Sequence, residues 1–220
     1  QLLIMEKKSI KGTKTEKNLL AAFAGESQAR SRYTMFANKA IEEGYQQIAA
    51  IFLETAEQEL SHAQMFFSKL EGGMVEITAA YPAGVVGDTI ANLKAAAEGE
   101  REEWSALYLD FEQTAREEGF NDVAVLFKNI AKVEVEHEKR YIKLLERLSS
   151  GHEFEVEEPI EWQCRYCGFV VSAKAAPKSA NTNPPYCTKN SEKVSAKNSL
   201  RFLYLYLSKL ENVFITFIIL

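Results

Sequence analysis

Two short motifs in the sequence place a carboxylate and an imidazole three residues apart. They are Glu59-x-x-His62 and Glu134-x-x-His137, and they contain two of the chain's three histidines. On a helix, residues at this spacing lie on one face, one turn apart. A single such pair means little in a Glu-rich helix, but its recurrence at matching positions of two repeats predicts metal ligation.

The two motifs belong to a longer internal repeat. Adding 75 to a residue number in the first half gives a similar residue in the second, as for Tyr33 and Tyr108, whereas Glu26 and Glu100 differ by 74. The repeat indicates a duplicated helix pair. The smaller offset means that the second copy has one extra residue between Glu100 and Tyr108. Because a π-helical turn absorbs one residue without ending a helix, we predict such a turn there, and none between Glu26 and Tyr33.

Helix formers dominate the first 158 residues, which contain one of the five prolines. Capping residues and glycines predict four helices of about 25–30 residues, with Asn121 as the cap of the fourth. Short connections within each pair and a long crossover between the second and third helices indicate two hairpins in a four-helix bundle. The alternative, an extended coiled coil, lacks a persistent heptad. The predicted boundaries are 13–44, 46–71, 88–119 and 121–151.

Three further carboxylates lie among apolar residues of the other two helices. They are Glu26 on the first helix and Glu100 with Glu103 on the third. Five inward carboxylates and two histidines would be prohibitive to bury without cations. One Glu from each of two helices plus Glu-x-x-His from the other two is the ligand plan of a two-iron or two-manganese site. Oxygen-rich ligation favours these metals over zinc.

Two interpretations remain open for the tyrosines and for the acidic residues. Tyr33 and Tyr108 are either core aromatics or donors to the ligand carboxylates. The acidic residues could also form solvated helix faces, and we expect this for the pairs that precede two of the glycines. These pairs are Glu42 with Glu43 and Glu117 with Glu118.

Residues 9–150 resemble the rubrerythrin family. The segments that carry the resemblance are Ala22–Arg30, Glu54–Glu59, Ala80–Gly84 and His137–Arg140. The resemblance implies an all-α, ferritin-like four-helix bundle with a non-haem di-iron centre. It also implies a peroxidase that reduces hydrogen peroxide to water in oxidative-stress defence, with electrons ultimately from NAD(P)H through a rubredoxin or its reductase. The family further suggests a homodimer or a higher homo-oligomer.

The resemblance also implies a role for each ligand. Glu59 and Glu134 would bridge the two irons, and Glu100 and His137 would be terminal ligands of one iron.

The other iron would have Glu26 as its constant terminal ligand. By the same resemblance, Glu103 would join it in the oxidised state and His62 in the reduced state. Glu103 and His62 are therefore the predicted catalytic residues.

Residues 160–170, which include Cys164-x-x-Cys167, resemble the first half of a rubredoxin domain. The family's second cysteine pair is matched here by Ala180 and Asn183.

The only further cysteine is Cys187, and three thiolates fall short of the four-sulfur shell of a mononuclear iron. The chain after Lys178 follows no family pattern, which suggests a reading-frame change or read-through; a genuine degenerate module is the alternative. The expected domain plan is a di-iron bundle over 1–151, a linker over 152–161, a partial rubredoxin-like module over 162–187 and an unassigned tail over 188–220.

Composition narrows the remaining function classes. A net charge of −5 argues against a nucleic-acid surface, and the apolar C-terminal stretch is too interrupted to predict a membrane span. Three cysteines, two of them in one Cys-x-x-Cys, favour a reducing compartment, which we take to be the cytoplasm. Two alternatives to a peroxidase remain: a ferritin-type protein that oxidises ferrous iron, and an electron-transfer or redox-sensing protein.

Overall fold

A computed structural model describes residues 8–164, 168–177 and 191–193 of the chain. The chain divides into two compact units, the first ending at Glu153 and the second beginning at Phe154. The first unit is helical, and the second contains a small sheet. Across these described ranges, no helix is both long enough and apolar enough to span a bilayer.

The first unit is the predicted bundle of two helical hairpins. α1 and α2 pack as one hairpin, and α5 packs against α3 and α4 as the other. Residues 68–88 form the long connection between the hairpins. The all-α fold and the crossover are therefore confirmed. The elements are α1 (Lys14–Glu42), α2 (Gln46–Phe67), α3 (Thr89–Glu102), a π-helical turn (Glu103–Leu107), α4 (Tyr108–Glu117) and α5 (Asn121–Ser149).

The helix starts follow the predicted caps with one exception. The Thr13 hydroxyl accepts a hydrogen bond from the Glu16 N–H, as the capping pattern predicts. The prediction that Asn121 caps the fourth helix is wrong, because α5 already begins at Asn121 and Phe120 occupies the cap position. Phe120 is buried in the core, and its carbonyl accepts the N–H of Ala124. Apolar burial, rather than a polar cap, therefore sets the start of this helix.

The second helix ends earlier than predicted, at Phe67 instead of Glu71. The N–H groups of Lys69 and Leu70 donate to the carbonyls of Phe66 and Phe67, each at 3.1 Å. These three-residue bonds tighten the end of the helix into a turn before the glycine pair is reached.

Two carboxylates predicted to be solvated instead connect the hairpins. Glu118 accepts hydrogen bonds from the Thr15 N–H at 2.8 Å and the Thr15 hydroxyl at 2.6 Å, at the start of α1. Its repeat counterpart Glu43 accepts the Thr89 N–H at 3.0 Å, at the start of α3. Partial burial opposes ionisation of both, but the hydrogen bonds from these threonines prevail and lower both pKa values. Each hairpin thus satisfies a helix start of the other.

The core consists of two apolar clusters along the bundle. In α1, Leu19 and Ala22 belong to one cluster and Ala29, Tyr33 and later residues to the other. Glu26 is fully buried between these two stretches of α1. The buried polar side chains are therefore enclosed by apolar packing at both ends.

The second unit contains an antiparallel sheet of order β2-β1-β3. β1 begins inside the stretch predicted as a linker and extends into the Cys-x-x-Cys segment. Trp162 of β1 is buried, and its indole N–H donates to the Ala173 carbonyl at 2.9 Å. Cys164 is also buried, whereas Cys167, Cys187, Ala180 and Asn183 lie outside the described residues. The strands are β1 (Glu155–Cys164), β2 (Val170–Ala175) and β3 (Ser191–Lys193).

Candidate metal centre

Six of the seven predicted bundle ligands lie together in the buried middle of the first unit. Their donor atoms form two groups, and within each group all atoms lie within 4.8 Å of one another. Glu59 and Glu134 belong to both groups. Two overlapping sets of ligands that share two carboxylates are the arrangement of a two-metal site with bridging ligands. The groups are Glu26, Glu59, His62 and Glu134, and Glu59, Glu100, Glu134 and His137.

The two histidines direct equivalent nitrogens at this cluster. His62 Nδ1 lies 3.0 Å from carboxylate oxygens of Glu59 and Glu134, and 3.8 Å from Glu26 Oε2. The imidazole rings of His62 and His137 are stacked with centroids 6.0 Å apart. Both Nδ1 atoms therefore face the shared carboxylates, as the duplicated motif predicts.

His137 makes the matching contacts in the second group. Its Nδ1 lies 2.8 Å from Glu134 Oε2, 3.2 Å from Glu59 Oε1 and 3.7 Å from Glu100 Oε2. All four residues are 4% exposed or less. These carboxylates and imidazoles are thus withdrawn from water and face one another.

The cluster fits metal ions because its inner atoms face one another and have no described partner outside the cluster. Six of them make no well-formed hydrogen bond, and leaving buried polar atoms in this state is costly. Bound cations would satisfy these acceptors together. The six atoms are Glu26 Oε2, Glu59 Oε1, Glu100 Oε2, both carboxylate oxygens of Glu134 and His137 Nδ1.

The pKa values of the clustered residues reflect how many buried carboxylates lie close together. Burial and the charge of Glu59 raise the pKa of Glu100 to about 8 and that of Glu26 well above its usual value. Burial also opposes ionisation of Glu59, but hydrogen bonds from His137 and His62 lower its pKa to about 2. Burial would lower the pKa of His137, yet the carboxylates of Glu100 and Glu134 raise it to about 12. The raised pKa values of Glu26, Glu100 and His137 favour their protonated forms, so metal binding would have to displace these protons.

Two tyrosines orient two of the ligand carboxylates across the repeat. The Tyr33 hydroxyl donates to Glu100 Oε1 at 2.5 Å, and the Tyr108 hydroxyl donates to Glu26 Oε1. In both carboxylates the other oxygen, Oε2, is the one that faces the cluster. Each tyrosine therefore holds one oxygen and leaves its neighbour for the metal site.

The third helix contains a π-helical turn in the predicted interval. The N–H of Tyr108 donates to the carbonyl of Glu103, five residues earlier. α1 is α-helical throughout, including the interval from Glu26 to Tyr33. The prediction from the repeat offset is confirmed in both copies.

Glu103, the seventh predicted ligand, belongs to neither group of close donor atoms. It is half-buried at the start of the π-helical turn. Burial and the charge of Glu26 raise its pKa well above the usual value. Glu103 is therefore electrostatically coupled to the cluster without joining it in this conformation.

The sequence did not predict a role for two side chains that lie beside the cluster. Gln58 Oε1 lies 3.0 Å from His137 Nε2 and can accept a hydrogen bond from the Nε2–H, the tautomer that leaves Nδ1 free to bind metal. Glu138 binds Arg101 and Trp104. Both are neighbours of ligands in the sequence, but no pattern marks them, because their partners are 34 or more residues away.

Comparisons with known proteins agree with this geometry. The family model described as rubrerythrin matches residues 17–158. A rubrerythrin of Porphyromonas gingivalis is 63% identical over 171 residues, covering 78% of this chain and 86% of that protein. A rubrerythrin of Nitratidesulfovibrio vulgaris is 48% identical, also over 171 residues, covering 78% of this chain and 90% of the other.

Solved structures show the same architecture. Nigerythrin in its fully reduced, all-ferrous state aligns with a TM-score of 0.56 and 28% identity, covering 87% of this chain and 91% of that one. A bacterioferritin from Desulfovibrio desulfuricans aligns with the same TM-score at 22% identity over 64% of this chain and 82% of that one, which supports the fold alone. Given these matches and the two groups of ligands that share a pair of carboxylates, the chain belongs to the rubrerythrin family.

Proposed function

We propose that this protein is a di-iron peroxidase that reduces hydrogen peroxide to water in the cytoplasm. The observation that carries the proposal is the pair of donor groups sharing Glu59 and Glu134, with inner atoms that have no described partner outside the cluster. In this proposal both shared residues would hold both irons, Glu100 and His137 would complete one site, and Glu26 would belong to the other. Iron held there would supply the two electrons that, with two protons, convert one hydrogen peroxide to two waters.

In this proposal His62 and Glu103 would each hold the second iron in one redox state. His62 lies in the cluster, and Glu103 lies outside it at the start of the π-helical turn. Exchanging a neutral imidazole for a carboxylate would offset one of the two positive charges that oxidation of both irons adds, which reduces the cost of the redox cycle.

The surrounding protein contributes orientation and exclusion of water. Tyr33 and Tyr108 hold the outer oxygens of Glu100 and Glu26, so that these carboxylates stay aligned in both redox states. Apolar clusters on both sides limit solvent access. We further propose that electrons come ultimately from NAD(P)H through a rubredoxin-type carrier, and that the protein acts as a homodimer or larger assembly.

The test is peroxide consumption by anaerobically reduced, iron-loaded protein, with metal analysis of the same sample. The proposal predicts stoichiometric oxidation of the iron and sustained turnover when reduced rubredoxin is supplied. The competing ferritin-type function predicts instead that added ferrous iron is oxidised by dioxygen and retained as ferric mineral. Slow oxidation by peroxide with rapid oxidation by dioxygen would contradict the peroxidase assignment.

A further inference from the structure

The π-helical turn needs something to hold it in one place. A π-helical turn has poorer geometry than an α-helix and is rare. None of the five residues in this turn, Glu103–Leu107, is fully buried, so core packing does not by itself determine its position. A one-residue insertion in a helix could be accommodated at several neighbouring positions.

Glu138 on α5 contacts the helix on both sides of the start of the turn. Its Oε1 accepts a hydrogen bond from Arg101 Nε at 2.6 Å, and its Oε2 accepts one from Trp104 Nε1 at 2.7 Å. Arg101 precedes the turn and Trp104 lies within it. The Glu138 side chain is 7% exposed, whereas that of Arg101 is 62% exposed. A buried carboxylate with both oxygens engaged therefore ties this short stretch to α5.

The first repeat, whose helix is regular, has no equivalent of this arrangement. The counterpart of Glu138 at the offset of 75 is Ala63, and the counterpart of Arg101 at the offset of 74 is Ser27. The acceptor and the charged donor are thus both absent where there is no π-helical turn to hold. The comparison links these contacts to the insertion rather than to bundle packing in general.

We propose that Glu138 is a positioning residue that fixes the π-helical turn and, through it, the direction of the Glu103 side chain. Shifting the turn along the helix rotates the intervening side chains by about 100°. Glu102 and Glu103 both lie between the two anchored residues. Glu102 is exposed, whereas Glu103 is half-buried at the first position of the turn, so Glu103 is the acidic residue that such a shift would turn away from the cluster. The consequence for catalysis rests on the proposed function, whereas the position of the turn does not.

The experiment compares Glu138→Ala and Glu138→Gln with Glu136→Ala. Glu136 lies on the same helix and makes an exposed contact with Lys139, so it is a matched control. The first readout is the crystal structure of each metal-free variant. We expect Glu138→Ala to displace the hydrogen bond between the Tyr108 N–H and the Glu103 carbonyl, and Glu136→Ala to retain it. An unchanged turn and Glu103 side chain in Glu138→Ala would overturn the proposal.

A second set of variants approaches the same contact from its donors. Arg101→Met and Trp104→Phe each remove one hydrogen bond to Glu138 and provide a test if Glu138→Ala does not fold. We expect peroxide turnover by the iron-loaded protein to fall about 10-fold or more in Glu138→Ala and less in the single-donor variants. Full turnover with a displaced turn would contradict the role in orienting Glu103. If the wild-type protein has no peroxidase activity but Glu138→Ala still displaces the turn, the positioning role of Glu138 stands and only the proposed function is refuted.

Discussion

Tyr108 extends from α4 to α1, and its hydroxyl donates a hydrogen bond to the buried carboxylate of Glu26. Tyr33 makes the reciprocal contact with Glu100. Each helix hairpin therefore provides the tyrosine that orients a ligand of the other, and the ligand cluster depends on correct docking of the two hairpins.

Removal of either tyrosine hydroxyl should impair the metal site without unfolding the bundle. We expect Tyr108→Phe and Tyr33→Phe each to lower metal affinity or peroxide turnover by about 10–100-fold, because a ligand carboxylate loses its orienting donor. The measurements are iron content after equilibrium dialysis and initial rates. Tyr141→Phe is the control, since its equally buried ring contacts Tyr33 but no described hydrogen bond joins its hydroxyl to a carboxylate. Equal losses in all three variants would indicate a packing effect.

The two histidines should differ in their effects although their surroundings are alike. We expect His62→Ala to reduce peroxide turnover more than iron content, because its proposed role as a ligand is limited to the reduced state. His137→Ala should lower iron occupancy itself. Metal analysis alongside turnover separates the two effects, and equal iron loss in both variants would refute the asymmetric assignment.

Deletion of Ser105 should convert the π-helical turn into regular helix. Glu100 and Tyr108 would then be seven residues apart, as Glu26 and Tyr33 are. Glu103 would take the position of Ala29 in the first repeat, which is 2% exposed in an apolar cluster.

For this deletion we expect iron to remain bound, because the six clustered ligands keep their register, while turnover is lost. The free energy of unfolding should also fall, since a carboxylate would enter an apolar site. Deletion of the exposed Gly73 in the crossover is the control. Normal turnover in the Ser105 deletion would remove Glu103 from the mechanism.

Glu118 should contribute stability that depends on pH. Hydrogen bonds from Thr15 hold its folded pKa below the usual 4.5. Its contribution is therefore present above that value and is lost as pH falls through the folded pKa. We expect Glu118→Gln to lower the free energy of unfolding by about 0.5–1 kcal/mol near neutral pH, a modest effect because the group is partly exposed. The difference from wild type should shrink near pH 3.

Urea denaturation at the two pH values provides the measurement. Glu117→Gln is the matched control, because Glu117 is exposed and bonds only within its own helix to Gln113 in the described contacts. A pH-independent difference for Glu118→Gln would mean that its charge is not the cause.

The cysteine-poor C-terminal module should be a weak electron carrier. We expect slow reduction of the di-iron centre by a reductase unless a separate rubredoxin is added, since Ala180 and Asn183 occupy positions where thiolates are expected. Ala180→Cys combined with Asn183→Cys is the restoring variant. A rubredoxin-like visible spectrum with one additional iron per wild-type chain would contradict this prediction.

Local patterns in the sequence were sufficient to predict much of the bundle and most of the residues in the buried cluster. The Glu-x-x-His spacing follows from the helical period, so the shared face of Glu59 and His62 could be inferred without coordinates. The one-residue difference between repeats likewise predicted the π-helical turn, because a regular helix could not keep both Glu100 and Tyr108 in register.

Contacts between distant parts of the chain required the tertiary structure. Glu118 and Glu43 resemble solvated acidic residues in the sequence, yet each binds the start of a helix from the other hairpin. Glu138 and Gln58 carry no motif, and their partners depend on how α5 packs against its neighbours.

The sequence by itself therefore determined the helices, the repeat, the types of residue in the buried cluster and the inserted residue, because these depend on spacing along one chain. Only the tertiary structure decided which tyrosine serves which carboxylate, where Glu103 lies relative to the cluster, and which side chain holds the π-helical turn. The physical reason is that helix packing sets these contacts, and packing depends on side chains far apart in the sequence that meet only in the folded bundle.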